Sequence, residues 1–336
     1  MNSVHLVIPG LFLPRDFAAE VCAGLSVPAL QKLLGRGHSE MLEPVPMEDL
    51  LCELFDIPSQ GNAPIAPISA AFDGLAAGCW LRADPVHLNL QRDQLLLAGV
   101  HASSEEAAAL CASLNDHFAE QGMEFFTPHP QRWYVRLNAL PLMRTTPLSH
   151  VIGGDVRRVL PTGEESARWH QLFNEIQMLL YTHPLNEARE ARGESIINSV
   201  WFWGGGCGKN ASPQQNYDIV SSDDVLAEMF AAAEDAPFSA WASQWRAEDC
   251  SGNQLLVWTG LRAALQRGDL AAWRPALQNF ESSYAQPLWQ ALRSGKISQL
   301  QLDILGGDSM RRVRLTRGDT WACWRRIRRL AEYSLT

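Results

Sequence analysis

Short apolar runs of strand type alternate with helical patterns along most of the chain, and this alternation limits the possible folds more than any other feature. Residues 3–9 predict a buried first strand, because an apolar run is closed there by Pro-Gly. Later in the chain, residues 255–259 and 300–305 predict two more strands, and residues 273–292 between them predict a helix. Strands separated by helices favour a parallel or mixed sheet with helices on both faces. The sequence therefore predicts an α/β fold.

A smaller unit of α+β type is predicted within the first half of the chain. Residues 80–90 alternate as a strand does, and residues 133–137 form a second run of this kind. Between them, Ser103 and Glu106 have the spacing of a capping box, which predicts the start of a helix. We therefore predict an inserted α+β domain at residues 76–150, within a discontinuous core formed by residues 1–75 and 151–336.

The region after the inserted domain combines a helix with a glycine-rich strand end. Thr162 and Glu165 repeat the capping-box spacing in front of an amphipathic helix. Residues 198–203 predict a strand that opens into the run WGGGCGKN, which we interpret as a flexible turn. This run does not match a phosphate-binding loop, because Trp203 and Asn210 stand where that pattern requires Gly and Ser or Thr. A structural or substrate-facing turn is the preferred interpretation.

Composition excludes several classes of protein. The chain has 336 residues and 46% hydrophobic content, enough for a large core. Its longest apolar runs are much shorter than the roughly 20 residues that cross a bilayer. The first residues lack the basic region of a secretory signal, so we expect a cytoplasmic protein without a membrane partner. The net charge of −9 disfavours general nucleic-acid binding, because phosphate groups are bound by clustered positive charge.

The seven cysteines and nine histidines give little indication of metal or thiol chemistry. The cysteines are scattered and contain no Cys-x-x-Cys pair, so we predict reduced thiols, with neither a disulfide framework nor a thiolate zinc site. Cys207 lies near Lys209 and could be a nucleophile, but no histidine follows it to act as a base. All histidines precede Leu185, so the C-terminal half has no imidazole for metal binding or base catalysis.

Residues 308–329 hold eight arginines, with Trp321 and Trp324 among them. Two interpretations are open. The charges and aromatic rings could bind phosphate groups or RNA. Alternatively, residues 311–315 form a cationic edge strand, and a terminal helix packs its tryptophans on the core.

Several segments, in the correct order, resemble a known family. They are VPALQKLLGRG at 27–37, RADP at 82–85 with the helix that follows it, HPLNEAREARG at 183–193 and NSVWFWGGG at 198–206. Together they are similar to the archaeal-type cofactor-independent phosphoglycerate mutases. The resemblance implies an alkaline-phosphatase-like core with a smaller inserted domain. The runs IPGL, WLRADPVHL, NEIQMLL and the Arg/Trp-rich C-terminal segment also resemble a bacterial branch of regulatory proteins, the RpfE type of pathogenicity-factor regulators.

The chain lacks the catalytic residues that the mutase resemblance implies. An Asp-Gly pair after the first strand would hold metal, and that place is taken by Pro9 and Gly10. The nucleophilic serine that precedes an aspartate has its nearest match at Glu48 and Asp49. A C-terminal metal-binding set would need histidines, which residues 261–308 do not contain. Carboxylates without a serine to phosphorylate do not support covalent phosphoryl transfer, so we predict no metal and no cofactor, and we assign no catalytic residue.

The residues that match the substrate-facing part of the mutases are retained, and they predict a ligand site. Arg82 and Arg192 could clamp a carboxylate or phosphate group through paired hydrogen bonds. The other candidates, which would bind hydroxyl groups or line the site, are Asp84, His87, Asn186, Asn198, Trp201, Gly204 and Gly205. The alternative is a purely structural set, with Arg82 and Asp84 as an ion pair and Asn198 as the cap of a strand end.

Three functions are consistent with the sequence. The preferred one is a non-catalytic regulatory protein that binds a small anionic metabolite or a protein partner in an interdomain cleft. The second is a metal-independent phosphomutase or hydrolase in which Asp84 and His87 act as acid and base. The third is a scaffold that contacts a partner through the Arg/Trp-rich segment at 308–329.

Overall fold

The computed structural model describes residues 2–59, 61–91, 93–208 and 216–334, and the predicted α/β fold class is confirmed. Its strands are, in chain order, β1 (Ser3–Pro9), β2 (His38–Leu42), β3 (Cys79–Gln91), β4 (Gln94–Gly99), β5 (Met123–His129), β6 (Arg132–Leu137), β7 (Met143–Arg144), β8 (Thr162–Gly163), β9 (Ser199–Cys207), β10 (Ile219–Ser222), β11 (Phe238–Ala240), β12 (Asn253–Val257), β13 (Gln299–Leu305) and β14 (Met310–Thr316).

The helices lie between these strands. They are α1 (Arg15–Val21), α2 (Pro28–Arg36), α3 (Met47–Leu54), α4 (Ile65–Phe72), α5 (Ser104–Phe118), α6 (Leu148–Val151), α7 (Ser166–Tyr181), α8 (Pro184–Ala191), α9 (Val225–Ala233), α10 (Gly260–Gln266), α11 (Leu270–Phe280), α12 (Gln286–Ser294) and α13 (Leu330–Tyr333). A π-helical turn, Glu281–Ala285, joins α11 to α12, so the helix predicted at 273–292 is continuous. Within the described ranges, no helix has the length and apolar content needed to span a membrane.

The chain divides into two compact units. The first comprises Met1–Leu51 and Gln214–Thr336, and the second is Cys52–Pro213. The second unit is longer at both ends than the domain predicted at 76–150. The reason is that β9 pairs with β3 over residues 79–86, and α4 packs on these same strands. The predicted boundaries therefore do not coincide with those of the unit.

The first unit contains a mixed sheet in the order β11-β10-β12-β1-β13-β14-β2. The central strand β1 is parallel to both of its neighbours, β12 and β13. Because side chains alternate along a strand, Val4, Leu6 and Ile8 all face one core, which they share with α2, α11 and α12. The strands predicted at 3–9, 255–259 and 300–305 are confirmed, with ends shifted by at most two residues.

The C-terminal part of the first unit differs from its prediction. The arginine-rich run forms β14, but this is not an edge strand, because β2 pairs with it on the side away from β13. The predicted terminal helix is reduced to the single turn α13. Trp321 and Trp324 lie before that turn and are exposed, so the prediction that they pack on the core was wrong.

Helix α2 depends on a side chain from a distant part of the chain. Its N-cap residue, Val27, has no capping side chain, and Pro28 follows at the first helical position. Glu281 provides the missing acceptor: its carboxylate accepts hydrogen bonds from the backbone N–H groups of Ala29 at 2.6 Å and Leu30 at 2.9 Å. A carboxylate at a helix N-terminus also interacts favourably with the helix dipole. The π-helical turn thus fixes the start of α2.

The second unit is built around the long strand β3. This strand pairs with β6 at residues 79–82, with β9 at residues 79–86 and with β4 at residues 86–91. Leu81 and Ala83 face a core formed with α5 and α7. Trp80 faces the opposite side of the sheet, where it packs with Tyr134 and with alanines of α4. Both faces of the first half of β3 are therefore covered.

The two predicted capping boxes have different outcomes. Ser103 and Glu106 form one at the start of α5, as predicted: the Ser103 hydroxyl accepts from Glu106 N at 3.1 Å, and the Glu106 carboxylate accepts from Ser103 N at 2.9 Å. Thr162 and Glu165 do not. Thr162 lies in β8, and the Glu165 carboxylate accepts instead from Leu142 N at 2.6 Å. The second prediction was wrong because pairing between β7 and β8 draws Thr162 away from the helix.

The glycine run is part of β9 and is not the flexible turn predicted for it. A Cβ atom on Gly205 would lie 2.7 Å from Leu81 Cδ2, and one on Gly206 would lie 2.6 Å from Pro64 Cβ. Glycine is needed at these positions because neighbouring side chains of β3 and the start of α4 approach the β9 backbone closely. Lys209 and Asn210, on which the phosphate-loop comparison also depended, lie outside the described residues.

Cys79 and Cys207 form a disulfide bond, although 128 residues separate them in sequence. They are opposite each other in the pairing of β3 with β9. The prediction of reduced cysteines was wrong for this pair, because distant strand pairing creates a proximity that no local spacing signals. The bond also removes Cys207 as a candidate nucleophile. Cysteines 22, 52, 111, 250 and 323 are thiols.

Replacing Glu281 is expected to destabilise the first unit. Glu281→Ala leaves two N-terminal N–H groups of α2 without their acceptor, which should lower the free energy of unfolding by about 2 kcal/mol. Glu281→Gln keeps one acceptor oxygen and should lose less. Urea unfolding followed by tryptophan fluorescence measures both, with Glu248→Gln, at an exposed glutamate, as the control. Equal stabilities for Glu281→Ala and this control would contradict the capping role.

Reduction of the disulfide is expected to destabilise the second unit by about 2–4 kcal/mol, because the crosslink limits the conformational entropy of the unfolded chain. Thiol titration in denaturant should find five thiols before reduction and seven after it. The double variant Cys79→Ser/Cys207→Ser should unfold at the same denaturant concentration with and without dithiothreitol. Seven thiols in the unreduced protein would rule out the bond.

Candidate ligand-binding site

Two of the predicted ligand residues, Arg82 and Asp84, form a buried ion pair on β3. Arg82 Nε and Nη2 donate to Asp84 Oδ1 at 3.1 and 2.6 Å. The Asp84 carboxylate also accepts from Trp133 N at 3.3 Å and from Trp203 Nε1 at 2.8 Å. Arg82 Cζ lies 5.2 Å from the ring centre of Tyr134 and 5.3 Å from that of Trp203. These two rings stabilise the guanidinium charge by cation–π contact.

A second ion pair lies on the same face of the sheet. Arg132, the first residue of β6, donates from Nε and Nη2 to the Asp73 carboxylate at 2.8 and 2.6 Å. Tyr134 Oη donates to the same carboxylate at 2.5 Å. Tyr134 therefore contacts both pairs, since its ring also lies against the Arg82 guanidinium. We call Arg82, Asp84, Asp73 and Arg132 the arginine–aspartate network.

The network sets the protonation of the groups around it. Burial raises the pKa of Asp73, but hydrogen bonds from Arg132 and Tyr134 outweigh it and hold that pKa below its ordinary value. Burial and the positive charge of Arg132 lower the pKa of His129, so its imidazole is neutral at neutral pH. Burial raises the pKa of Tyr134, so its phenol stays protonated and remains a donor.

Each guanidinium group keeps one nitrogen outside the ion pairs. Across the described ranges, neither Arg82 Nη1 nor Arg132 Nη1 takes part in a hydrogen bond, and the two side chains are 7% and 16% exposed. The Asp73 and Asp84 carboxylates are engaged by arginine and by neighbouring donors, so they are poorly suited to act as acid or base. The free N–H groups could donate charge-assisted hydrogen bonds to a carboxylate or phosphate group. The chemistry of the network fits recognition of a small anion.

The predicted candidates Asn186 and Asn198 bind the backbone and do not join the network. Asn198 bonds both to Leu88 N and to Leu88 O, at 2.8 and 2.9 Å. Asn186 donates to Leu180 O and Ile197 O, and accepts from Ile197 N. Both side chains are buried, and their hydrogen bonds connect neighbouring segments of the backbone. Both amide groups are engaged by hydrogen bonds to the backbone.

His87 and Arg192 also lie apart from the network. His87 Nδ1 is 3.1 Å from a backbone carbonyl oxygen. It is three residues from Asp84 on β3, so the two side chains leave opposite faces of the sheet and do not form an acid–base pair. Arg192 is half exposed and forms salt bridges with Glu106 and Glu194 at 2.7 and 2.8 Å.

The remaining candidates contribute to packing around β9. Trp201 is buried, and its Nε1 donates to Thr146 O at 2.8 Å. Gly204 has φ of +69°, a conformation that favours glycine, and its N–H donates to Thr145 Oγ1 at 3.3 Å. Gly205 allows the close approach of β3. Of the predicted site residues, only Arg82 and Asp84 therefore lie in the arginine–aspartate network.

In the first unit, the carboxyl ends of the strands carry acidic residues and one arginine. Glu48 and Asp49 lie at the start of α3, and Asp223 and Asp224 follow β10. Arg262 lies in the first turn of α10, after β12. Burial raises the pKa of Asp224, and the positive charge of Arg262 opposes this shift. Ligands of open α/β sheets bind at such strand ends, so this is the second candidate site.

These strand ends do not fit the two divalent ions that the mutase resemblance implies. A Cβ atom on Gly10, just after β1, would lie 3.2 Å from the backbone N and Cα of Arg262. No three His, Cys, Asp or Glu side chains of the described segments are grouped so that they could hold a metal ion. The fixed charge of Arg262 among the carboxylates also disfavours a second cation there.

Sequence reasoning missed Asp73, Arg132, Tyr134, His129 and Trp203 as parts of the site. One signal for two of them was present. In the run RWYVRL, the period of a strand places Arg132 and Tyr134 on one face, opposite the apolar Trp133 and Val135. Asp73 could not be found in this way, because it follows α4 and reaches the sheet only through packing.

Comparison with known proteins supports a relation to phosphoglycerate mutases. No protein-family model matches the chain. It is 27% identical over 108 residues to the 2,3-bisphosphoglycerate-independent phosphoglycerate mutase of Methanosarcina mazei, and 27% identical over 153 residues to a probable enzyme of this name from Geobacter sulfurreducens. The matches cover 32% and 44% of this chain. The chain spans only 27% and 38% of the length of these relatives.

Two solved structures share the fold over nearly the whole chain. The cofactor-independent phosphoglycerate mutase from Thermoplasma acidophilum has a TM-score of 0.51 and 12% identity, covering 98% of this chain and 94% of that one. The PH0037 protein from Pyrococcus horikoshii has a TM-score of 0.57 and 13% identity, covering 99% and 92%. At these identities the likeness establishes the fold alone. The chain thus has the fold of the cofactor-independent phosphoglycerate mutases and is similar to such mutases in sequence at low identity.

The stability that Asp73 contributes is expected to depend on pH. Because its folded-state pKa lies below the ordinary value of 3.8, its contribution is complete above that value and is lost as the pH falls through the lower folded-state pKa. The difference in unfolding free energy between wild type and Asp73→Asn should therefore be constant above about pH 5 and shrink in acid. Urea unfolding at a series of pH values measures it, with Asp116→Asn on the surface of α5 as the control. A difference that stays constant down to pH 3 would contradict the assignment.

Proposed function

We propose that this chain is a non-catalytic, regulatory relative of the cofactor-independent phosphoglycerate mutases, which binds a small anionic metabolite at the arginine–aspartate network. The observation that carries the proposal is the pair of unengaged Nη1 groups on Arg82 and Arg132, beside the neutral imidazole of His129. Binding, rather than chemistry, is what this arrangement favours.

The strand ends of the first unit support the non-catalytic part of the proposal. Proteins that share a fold differ in activity when the residues of the site differ. Here Pro9 is the last residue of β1, Gly10 follows it, and Arg262 lies among the carboxylates. Covalent phosphoryl transfer with two metal ions needs a nucleophile and several metal ligands, and the residues at this place do not match that requirement.

The nature of the network supports an anionic ligand. Hydrogen bonds between a guanidinium group and an anion contribute about 1.5–3 kcal/mol each. The existing carboxylates hold both arginines in position, so a ligand does not have to order them. The relatives are phosphoglycerate mutases by name, which makes 3-phosphoglycerate the first probe to use. It offers a carboxylate and a phosphate group to the two guanidinium groups.

The regulatory part of the proposal comes from the resemblance to RpfE-type proteins. A protein that binds a metabolite without converting it acts through differential binding to a further partner. The alternative of a metal-independent phosphomutase or hydrolase receives no support from Asp84 and His87, because these side chains leave opposite faces of β3.

Binding of 3-phosphoglycerate should stabilise the protein without added metal. In buffer containing EDTA, a ligand concentration of 100 times the Kd raises the unfolding free energy by about 2.7 kcal/mol, so thermal unfolding should shift upward with ligand concentration. Arg132→Met should abolish the shift, because it removes one of the two free guanidinium nitrogens. Arg136→Met is the matched control, since Arg136 lies on the same strand and face but is exposed and paired with Glu124.

Two results would contradict the proposal. One is an equal thermal shift in wild type and Arg132→Met. The other is conversion of 3-phosphoglycerate to 2-phosphoglycerate by the purified protein when Mn²⁺ or Mg²⁺ is supplied, which would show that the mutase chemistry is retained.

A further inference from the structure

Two tryptophans and an isoleucine near the C-terminus are exposed together. Trp321 is 60% exposed, Trp324 is 80% exposed and Ile327 is 37% exposed. Grouped apolar side chains of this size on a protein surface mark sites of interaction.

The backbone of this segment is held in place. Ala322 and Leu330, before and after the exposed residues, are buried. Between them, Arg325 donates to Asp319 at 2.9 Å, and its Nη2 lies 3.0 Å from His38 Nε2. The exposure of the rings is therefore a property of the folded surface and not of a frayed chain end.

Arginines surround the exposed rings. Arg293 Cζ lies 5.3 Å from the ring centre of Trp321. Arg326, Arg328 and Arg329 are exposed in the same segment as Trp324. None of these four arginines has a salt bridge to any residue that the structure describes. We call the set the Arg–Trp surface: Arg293, Trp321, Trp324, Arg326, Ile327, Arg328 and Arg329.

We infer that the Arg–Trp surface binds an acidic segment of a partner protein, in which carboxylate side chains flank at least one apolar side chain. The guanidinium groups would pair with the carboxylates through two parallel hydrogen bonds each. The tryptophan rings would cover the apolar side chain. Tryptophan and arginine are the residues that most often carry the binding energy of protein interfaces, and here they occur together on one exposed segment. This inference does not rest on the proposed metabolite site.

A short acidic segment fits the surface better than a long polyanion does. The whole chain has a net charge of −9, so the cluster of arginines on this surface contrasts with a negative average charge. A nucleic acid or an anionic bilayer carries negative charge over a longer span, so beyond this surface it would face a chain whose average charge is negative. An acidic peptide contacts only the local cations. Charge complementarity thus selects a protein segment as the occupant.

Fluorescence anisotropy with a labelled peptide of alternating Glu and Leu residues tests the inference. The full-length protein should bind this peptide, with an affinity that falls as salt is added, and should not bind a Gln/Leu peptide of the same length. The variants Trp321→Ala/Trp324→Ala and Arg326→Gln/Arg328→Gln/Arg329→Gln should each weaken binding by at least about tenfold. The control Met178→Ala/Tyr181→Ala removes exposed apolar side chains from α7 and should leave binding unchanged.

All of the substituted side chains are exposed, so circular dichroism and thermal unfolding should be the same for wild type and variants. Equal peptide affinity in wild type and both variants would overturn the inference. It would also be overturned if single-stranded RNA or phosphatidylserine vesicles bound more tightly than the peptide. Self-association in sedimentation velocity, abolished by the variants and without peptide binding, would assign the surface to a second copy of the chain and likewise overturn it.

Discussion

The pairing of β3 with three other strands is the constraint on which the second unit depends. Because side chains alternate along a strand, this pairing sends Leu81 and Ala83 into the core under α5 and α7, and sends Arg82 and Asp84 to the face covered by α4. A charged group buried in this way must be paired, since an uncompensated one costs about 3–5 kcal/mol. A shift of the register by one residue would move the charges into the apolar core. The pairing and register of the strands therefore determine where the arginine–aspartate network lies.

The same fold can hold different chemistry at its strand ends. Structures with TM-scores of 0.51 and 0.57 to this chain share its architecture at 12% and 13% identity, and architecture at that distance leaves the site free to change. At the strand ends of the first unit, a guanidinium group from Arg262 provides positive charge to buried carboxylates. A covalently attached cation cannot leave or exchange as a metal ion can. The charge of Arg262 therefore opposes the rise that burial causes in the pKa of Asp224.

Local patterns in the sequence predicted local structure well and long-range structure poorly. The apolar run at 3–9 and the capping box of Ser103 and Glu106 each depend on neighbouring residues, and each is confirmed. The disulfide between Cys79 and Cys207, the capping of α2 by Glu281 and the approach of Asp73 to Arg132 all join distant segments. The spacing of residues in the sequence does not predict these contacts. The exposed tryptophans were misplaced for a related reason, because a helical pattern was extended into a segment that side-chain contacts hold in another conformation.

The dependence of α2 on Glu281 has a consequence for the order in which the nascent chain can fold. Strand β1 lies between β12 and β13, and α2 is capped by a residue more than 250 positions later in the chain. Residues 2–51 are translated before the second unit, whereas β12, Glu281 and β13, which contact them, are translated after it. The second unit, Cys52–Pro213, is continuous and contains β4, β6 and β9, the strands that pair with β3 in the described part of the chain. During synthesis the second unit can fold first. The amino-terminal segment can pair with β13 only after β13 has been translated.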